Sequence, residues 1–362
     1  MKHIICFHLF NDYSGSPKVL KMVLEGFLKE GYQVDLVSSK GGVLDELQHY
    51  ENFHKYTYCY QFSNNPAITM LRYSLVQLYT FLFAFRWLFH KNTVFYINTL
   101  LPVGPALAGR LMGKRVIYHY HENAFVKGTF YKTLAAAMQK LAHEIICVSA
   151  YQASFLKRKQ GVTVIPNALP KDFTDKLHPN PEAAFERQTI LMLSSLKAYK
   201  GTLEFIALSQ KLPQYKFVLV INDTKKNIED YLEDKKIVKN YNNLKIHHRQ
   251  EDVTLFYNEA SLVLNLSDKE RFVETFGLTA LEAMTSALPV IVPTEGGIAE
   301  MVMDGDNGYK IDVHDIDKIE KCIMSLLSDK ELYMNISHNA LKYSLQFSAD
   351  EMNENIIQII EK

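Results

Sequence analysis

Cysteine is scarce in this chain of 362 residues, which has four: Cys6, Cys59, Cys147 and Cys322. They lie far apart and form no CxxC pair, so they are too few to build a disulfide framework. The first residues, MKHIICFHLFND, contain one lysine and a short apolar run, which is too brief for a signal peptide. We therefore expect a cytoplasmic protein in a reducing environment.

An excess of charge of either sign is also missing. Forty Lys and Arg residues face forty Asp and Glu residues, for a formal net charge of zero. The net charge of the chain therefore gives no support for nucleic-acid binding of the kind that a basic domain shows, and any anion site must be local. No repeat of 20 to 50 residues and no low-complexity tract is present, which excludes solenoids and propellers.

Short apolar runs rich in Val and Ile alternate with longer segments of helical period. This alternation is typical of a doubly wound α/β fold with parallel sheets. The first half predicts strands at His3–Phe7, Gln33–Val37, Val94–Asn98, Val116–His119, Glu144–Val148 and Val162–Ile165. The second half predicts strands at Thr189–Leu193, Lys216–Ile221, Leu244–His247, Leu262–Leu266 and Val290–Pro293.

Between the two halves, the proline-rich segment Pro166–Pro181 interrupts the alternation and indicates a linker. We therefore expect two Rossmann-like domains, residues 1–175 and 176–348, whose sheets face each other across a cleft.

One segment, Ile68–Phe89, is apolar over 22 residues apart from Arg72 and Arg86. This length approaches that of a membrane span. Three interpretations remain open: a buried helix of the first domain, a monotopic helix that contacts the membrane with Arg, Trp87 and Lys at the interface, or a true span.

The first strand leads into a turn that contains Gly15. Glycine there allows the backbone to approach a ligand, Ser16 can cap the following helix, and Pro17 suits its first position. Such a helix start attracts an anion. The turn is not GxGxxG, which argues against a dinucleotide-dependent dehydrogenase.

A second turn, in ERFVETFGLTALEAM, has Glu274 in a loop and Glu282 eight residues later on a helix. If the helix begins between them, the backbone of Phe276, Gly277 and Leu278 can bind donor phosphates. The two carboxylates can then accept hydrogen bonds from sugar and ribose hydroxyls. In the alternative, Glu274 caps the helix and Glu282 is solvated.

Lys197 and Lys200 follow a strand and precede a helix in LMLSSLKAYKG. Lysines at such a turn can neutralise a diphosphate, although a solvated pair fits the pattern too.

In YHYHENAF, His119 and His121 alternate at the end of a strand, next to Glu122. No further ligand follows at a metal-binding spacing, so we expect no metal site. His121, or His119 in its place, can orient a substrate near the leaving group, with core packing as the alternative for both histidines.

Together these segments resemble glycosyltransferase family 4, the retaining enzymes with the two-Rossmann GT-B architecture. The resemblance covers nearly the whole chain. It is most specific from Glu274 to Gly308, where E-x-F-G-L, the E-x7-E pair, LPVIVPTEGGIAE and DGDNG occur in the family's order. VSAYQASFL with VIPNAL, and LKAYKG, resemble the family's linker entry and its phosphate-binding turn.

The resemblance implies a role for each matching residue. Glu274 would contact donor-sugar hydroxyls, Glu282 the ribose, Lys200 the diphosphate and His121 the donor-sugar region, while Gly15 would lie under the diphosphate. It also implies that the carboxyl-terminal helix, within 349–362, packs back on the first domain, and that no metal or other cofactor is needed.

Three features depart from the family pattern. Ser195 occupies a position where the family commonly has Arg, so one cationic side chain that binds phosphate is missing unless Lys197 replaces it. The first turn is Ser-Gly-Ser rather than two adjacent glycines, and the segment before Asp252 ends HHRQ without the usual glycine.

We therefore expect a hexosyltransferase acting with retention on a nucleotide-diphosphate sugar, with UDP as the expected nucleotide. The expected acceptor is a saccharide or lipid-linked saccharide of a bacterial envelope pathway, with peripheral membrane contact through residues 68–91 and no nucleic-acid partner. Two rival classes remain open: an inactive nucleotide-sugar-binding subunit and a hydrolysing sugar-nucleotide epimerase.

Overall fold

The computed structural model describes residues 3–63, 65–125, 128–237 and 242–362. They divide into two compact units. The N-terminal unit comprises Met1–Ala168 with Ala349–Lys362, and the C-terminal unit comprises Leu169–Ser348. The division therefore falls seven residues before the expected boundary at 175. The physical reason is local, because Phe173 packs against the ring of Tyr257 and Lys176 pairs with Asp252, both in the C-terminal unit.

The N-terminal unit is built on a seven-stranded parallel sheet in the order β3-β2-β1-β4-β5-β6-β7. Its strands are β1 His3–Phe7, β2 Gln33–Ser39, β3 Phe53–Tyr58, β4 Thr93–Asn98, β5 Arg115–Tyr120, β6 Glu144–Cys147 and β7 Val162–Val164. Its first helices are α1 Gly15–Lys29, α2 Pro66–Ala84, α3 Val103–Leu111, α4 Thr129–Leu141 and α5 Ala150–Ser154. Short 3-10 helices span Val43–His49 and Phe85–Trp87.

The central strands of this sheet are mostly apolar because both faces are covered. In β4, every residue from Thr93 to Asn98 is buried. The core on one side gathers Phe7, Trp87 and Phe95 with residues of α3 and α4. The predicted strands of this half are confirmed to within two residues. The pattern missed β3, whose FHKYTY sequence alternates polar and aromatic residues at a half-exposed sheet edge.

The C-terminal unit contains a second parallel sheet of six strands, in the order β10-β9-β8-β11-β12-β13. Its strands are β8 Thr189–Ser194, β9 Lys216–Ile221, β10 Leu244–His247, β11 Leu262–Leu264, β12 Val290–Val292 and β13 Tyr309–Lys310. Its helices are α6 Lys171–Thr174, α7 Pro181–Arg187, α8 Thr202–Lys211, α9 Lys225–Asp234, α10 Thr254–Asn258, α11 Leu278–Thr285, α12 Gly297–Glu300, α13 Ile316–Ser328 and α14 Lys330–Ser344. A 3-10 turn spans Ala198–Lys200.

The last helix, α15, spans Ala349–Glu361 and belongs to the N-terminal unit. Arg115 of β5 donates hydrogen bonds to the backbone carbonyls of Ile359 and Ile360, and Tyr32 donates to Glu361 at 2.7 Å. These bonds attach the carboxyl terminus to the first sheet.

The apolar segment that begins at Ile68 forms α2 and the 3-10 turn after it. One face, with Tyr73, Val76, Gln77, Thr80 and Ala84, is buried. The opposite face is exposed and apolar, and its large residues are Ile68, Met70, Leu71, Leu75, Leu78, Tyr79, Leu82, Phe85, Leu88 and Phe89. A fully buried core helix is therefore not what the structure shows.

Trp87 corrects a second expectation. It is 1% exposed, and its indole Nε1 donates a hydrogen bond to the buried carboxylate of Asp35 at 2.8 Å. Trp87 therefore belongs to the core and cannot act as an interface anchor.

Candidate functional site

The loop between β11 and α11 holds Glu274 in a defined arrangement. Its Oε1 accepts a hydrogen bond from Ser267 Oγ at 3.0 Å and forms an ion pair with Lys200 Nζ. Lys200 comes from the turn after β8, and β8 and β11 are neighbours in the sheet. The structure thus brings together two predicted site residues at the carboxyl ends of adjacent parallel strands, where ligands of such sheets bind.

Two aromatic rings support this ion pair. Lys200 Nζ lies 4.8 Å from the ring centroid of Phe272, which stacks on Tyr199 with a centroid separation of 4.6 Å. Rings at this distance attract the ammonium group and limit its access to water. No prediction from the sequence covered Tyr199, Ser267 or Phe272. The sequence signal that could have indicated them was the presence of aromatic residues beside the K-G pair and within ERFVETFG.

Two glycines shape the loop around Glu274. Gly277 has φ +95° and Gly296 has φ +111°, values that a side chain disfavours. A Cβ on Gly296 would lie 2.5 Å from the carbonyl oxygen of Glu274, and one on Gly277 would lie 2.5 Å from Ile298. The N–H of Gly297 donates to that same Glu274 carbonyl at 2.8 Å. The Gly-Gly turn therefore positions the Glu274 backbone.

Helix α11 begins at Leu278 with Gly277 as its N-cap, and no side chain caps it. The interpretation of Glu274 as a helix cap is therefore wrong, because its carboxylate binds Lys200 and Ser267 instead. The first N–H groups of a helix carry a partial positive charge and suit an anion. Phe276 is 4% exposed and packs against Phe347, so only its backbone is available for a ligand.

Glu282 on α11 is half-buried, and its Oε2 accepts a hydrogen bond from the Tyr257 hydroxyl at 2.5 Å. Burial, and then the negative charge of Glu282, raise the pKa of Tyr257 well above its ordinary value. The tyrosine therefore stays a donor and orients the carboxylate. Glu282 is not a solvated face residue, and sequence reasoning missed Tyr257, which lies 25 positions away.

The Glu274 carboxylate pairs with Lys200, whereas Lys197 is exposed at the start of the turn. Ser195 is half-buried, and its carbonyl oxygen lies 3.3 Å from the hydroxyls of Ser194 and Thr202. Compensation of the missing arginine by Lys197 stays a prediction.

In the N-terminal unit, α1 begins at Gly15, with Ser14 as the N-cap and Pro17 two positions into the helix. Ser16 is therefore not the cap, and Pro17 is the third residue of the helix rather than the first. The Asp12 carboxylate accepts from the backbone N–H of Ser14 at 3.0 Å, so a negative charge already lies beside this helix start. This arrangement argues against a strong anion site at Gly15, whose role in donor binding stays a prediction.

His121 follows β5 and is half-buried. Its Nε2 lies 3.0 Å from Asn98 Oδ1, and its ring centroid lies 4.1 Å from that of His119. His119 is fully buried, and burial lowers its pKa to about 3. His119 therefore packs in the core as a neutral residue, whereas His121 lies at the carboxyl edge of the sheet.

Among the described residues, one group of His, Cys, Asp and Glu side chains could hold a metal ion: Asp268, Glu270 and His314, whose ligand atoms lie within 4.8 Å of one another. Asp268 also lies 3.3 Å from Arg271 Nε. This group does not include His119, His121 or Glu122. Metal independence stays a prediction.

Two Rossmann-like parallel sheets, with a carboxylate, a lysine and a helix start converging at the edge of the second, define an α/β protein of the GT-B class. The sequence matches a family model described as Glycosyltransferase Family 4 over residues 13–173. A second model, described as Glycosyl transferases group 1, matches residues 173–343. The chain therefore belongs to the group 1 glycosyltransferases of family 4, as the sequence resemblance predicted.

Individual relatives are similar over part or all of the chain. Sucrose-phosphate synthase of Spinacia oleracea is 34% identical over 114 residues, which are 32% of this chain and 11% of that protein. The matched segment thus spans about a tenth of this curated relative. Two solved structures share the fold over at least 98% of both chains. Anabaena Alr3699/HepE, solved with UDP and glucose, has 18% identity and a TM-score of 0.79 over 99% of each chain. Sucrose-phosphate synthase from Thermosynechococcus elongatus has 15% identity and a TM-score of 0.80 over 100% of this chain and 98% of its own.

Proposed function

We propose that this protein is a retaining glycosyltransferase that moves a hexose-type sugar from UDP to a saccharide or lipid-linked saccharide. The observation that carries the proposal is the Lys200–Glu274 ion pair beside the uncapped start of α11. A cation for the diphosphate and a carboxylate for sugar hydroxyls are the two groups that donor binding needs, and here they are in contact.

The ion pair suggests how the donor enters. Lys200 would exchange its carboxylate partner for a phosphate oxygen, and Glu274 would then accept hydrogen bonds from the sugar. The N–H groups at the start of α11 add positive potential where negative charge develops on the leaving diphosphate. Electrostatic stabilisation of this kind is commonly the largest catalytic contribution. Neither glutamate is proposed as a nucleophile, unlike the carboxylate pairs of glycoside hydrolases.

Glu282 is proposed to bind the ribose, with Tyr257 holding its carboxylate in place. UDP is proposed as the nucleotide because Anabaena Alr3699/HepE, which shares the fold, is described in complexes with UDP and with UDP-glucose. Retention and metal independence follow from the family and carry over as part of the proposal.

We further propose that the N-terminal unit contacts an anionic membrane through the exposed face of α2. The segment Pro66–Trp87 is long and apolar enough to cross a membrane by length and composition, and 22% of an 18-residue apolar stretch within it is buried. Because Tyr73, Val76 and Thr80 pack into the unit, contact along one face fits better than a span.

The charges around this helix fit a negative surface. No Asp or Glu occurs between Glu51 and Glu122, whereas the segment has seven basic residues. Lys55 is buried against Asp45, and Arg115 donates to the carbonyls of α15. The basic residues left for a surface contact are Arg72, Arg86, Lys91, Arg110 and Lys114. Basic residues near an anionic leaflet contribute about 1 kcal/mol each. This contact is the reason to propose a lipid-linked acceptor of an envelope pathway.

The transfer reaction is tested by incubating the protein with a panel of UDP- and GDP-sugars, with and without saccharide and lipid-extract acceptors. Release of the nucleotide with one donor only when acceptor is present supports the transferase. Donor binding without release under any acceptor supports the inactive subunit, and acceptor-free isomerisation supports the epimerase.

Membrane contact is tested by sedimentation with liposomes that contain anionic lipid. The variant Leu75→Gln/Leu78→Gln/Leu82→Gln should bind at least tenfold more weakly, because a tenfold change needs only about 1.4 kcal/mol. Leu255→Gln/Leu345→Gln replaces exposed leucines of the C-terminal unit and is the matched control. Equal binding by both variants, or no binding by the wild type, would contradict the membrane proposal and leave the transfer reaction untouched.

A further inference from the structure

Arg72 is the single charged residue of helix α2, which spans Pro66–Ala84. It lies on the exposed side of the helix, in one stripe with Ile68, Leu75 and Tyr79, whose side chains are also exposed. A charge within an apolar surface is costly when that surface leaves water, unless an opposite charge compensates it. The position of Arg72 therefore indicates an anionic ligand on the face that is proposed to contact the membrane.

The first half of α2 lies at the carboxyl edge of the first sheet. Helix α2 connects β3 to β4, and both strands run parallel to the rest of the sheet, so the helix runs from the carboxyl edge to the amino edge. The Tyr73 hydroxyl donates to the carbonyl oxygen of Leu101, in the loop after β4, at 2.8 Å. Arg72 thus lies near the edge where ligands of parallel sheets bind, whereas Arg86 and Lys91 lie near the opposite edge.

Hydrogen bonds attach the loop before α2 to the helix and place the guanidinium of Arg72 beside it. Arg72 Nη1 donates to the carbonyl oxygen of Gln61 at 3.1 Å. The backbone N–H of Ser63 donates to Thr69 Oγ1 at 2.9 Å, and the same hydroxyl lies 3.0 Å from the Ser63 carbonyl oxygen. Within the described residues, the bond to Gln61 uses one of the five N–H groups of the guanidinium. The planar fork of the others suits two oxygens of a phosphate.

Three aromatic rings surround the same loop. Phe62 is 58% exposed, and its ring centroid lies 5.1 Å from that of Phe10 and 5.3 Å from that of Tyr60, both edge to face. Burial raises the pKa of the Tyr60 hydroxyl, and the positive charge of Arg72 opposes that rise, which shows that the cation is near these rings. A fixed and exposed ring next to a cation offers a flat surface for the C–H groups of a pyranose.

We propose that Arg72 binds the phosphate that joins lipid to saccharide in a lipid-linked acceptor, and that Phe62 stacks on the sugar next to that phosphate. The order of groups along the helix supports this assignment. Exposed leucines come first from the amino edge, then Arg72, then Phe62 at the carboxyl edge, which is the order of lipid, phosphate and sugar in such an acceptor. The inference rests on the proposed function and names the acceptor contacts, but it is measured without any transfer.

Vesicle sedimentation tests the role of Arg72 and needs no donor. One set of phosphatidylcholine vesicles contains a polyprenyl diphosphate linked to one N-acetylglucosamine, and a second set contains phosphatidylglycerol at the same surface charge. The wild type should bind the first set about tenfold more tightly, and Arg72→Gln should lose this preference. Equal binding of both sets by the wild type would overturn the inference alone. Binding of neither set would overturn the membrane contact as well.

Arg86→Gln is the matched control, because it removes the same charge from the same apolar segment near the opposite edge of the sheet. Both variants should bind phosphatidylglycerol vesicles more weakly by a similar factor, about fivefold or less. Arg86→Gln should keep the preference for the lipid diphosphate. Equal loss of that preference in the two variants would contradict a phosphate site at Arg72 and would leave a general electrostatic attraction.

The sugar contact is tested with the same lipid diphosphate with and without its sugar. Because a stacked ring does not distinguish individual hydroxyls, one sugar is a sufficient probe. The wild type should bind the glycosylated lipid about fivefold more tightly, Phe62→Ala should lose this difference, and Phe62→Tyr should keep it. An equal loss of affinity for both lipids in Phe62→Ala would contradict stacking on the sugar. If the wild type shows these binding differences but transfers no sugar from any donor, the proposed function fails and the acceptor contacts stand.

Discussion

Replacing Glu274 with glutamine should strengthen the binding of UDP while it abolishes most of the sugar transfer. In the structure the Glu274 carboxylate forms an ion pair with Lys200, the cation proposed to bind the diphosphate. Glu274→Gln keeps the size of the side chain and removes its charge. Lys200 is then released, and the carboxylate no longer repels the incoming phosphates.

The size of the effect follows from the exposure of the pair. A hydrogen bond to a charged group contributes about 1.5–3 kcal/mol. The Lys200 and Glu274 side chains are 25% and 16% exposed, so solvent screening reduces the value to about 1 kcal/mol. The dissociation constant of UDP should therefore fall about fivefold. Lys200→Ala should instead raise it about tenfold or more, because the phosphate loses its cation.

Isothermal titration of UDP into the purified variants measures both changes, and a nucleotide-release assay measures transfer. Loss of the carboxylate from the donor site should lower turnover about a hundredfold or more in Glu274→Gln and in Glu274→Ala. Glu320→Gln is the matched control, because it removes one of the two carboxylates that pair with Lys211 on the surface of the same unit. If Glu274→Gln weakens UDP binding as much as Lys200→Ala does, the exchange of partners by Lys200 is refuted. Near-normal transfer in Glu274→Ala would refute the role of Glu274.

Three further predictions concern other parts of the chain. Trp87→Phe should lower the free energy of unfolding, measured by urea titration, by about 1–3 kcal/mol, because the buried Asp35 carboxylate loses its indole donor. Liposome binding should be unchanged in this variant, because Trp87 lies in the core. Gly296→Ala should weaken donor binding and lower the melting temperature, since its Cβ would lie 2.5 Å from the Glu274 carbonyl, and a wild-type melting curve would contradict this. Transfer should be unchanged by a chelator and by His314→Ala, and a loss restored by one divalent cation would overturn metal independence.

Local patterns predicted much of the fold. Apolar runs that alternate with helical segments predicted eleven of the strands, because a parallel strand that is covered on both faces is mostly apolar. The pattern missed β3 and β13, an edge strand with polar residues and a strand of two residues. It also could not indicate which face of α2 is buried, because both faces are apolar.

The sequence by itself determined the strand positions and the residues of the Glu274 loop, because turn glycines and strand periodicity act between neighbours in the chain. The tertiary structure alone decided the pairing of Lys200 with Glu274, of Tyr257 with Glu282, and of Asn98 with His8 and His121. These partners come from different strands and helices, up to 90 positions apart. Parallel strands bring their carboxyl ends to one edge, and only the register and packing of the folded sheet determine which side chains meet there.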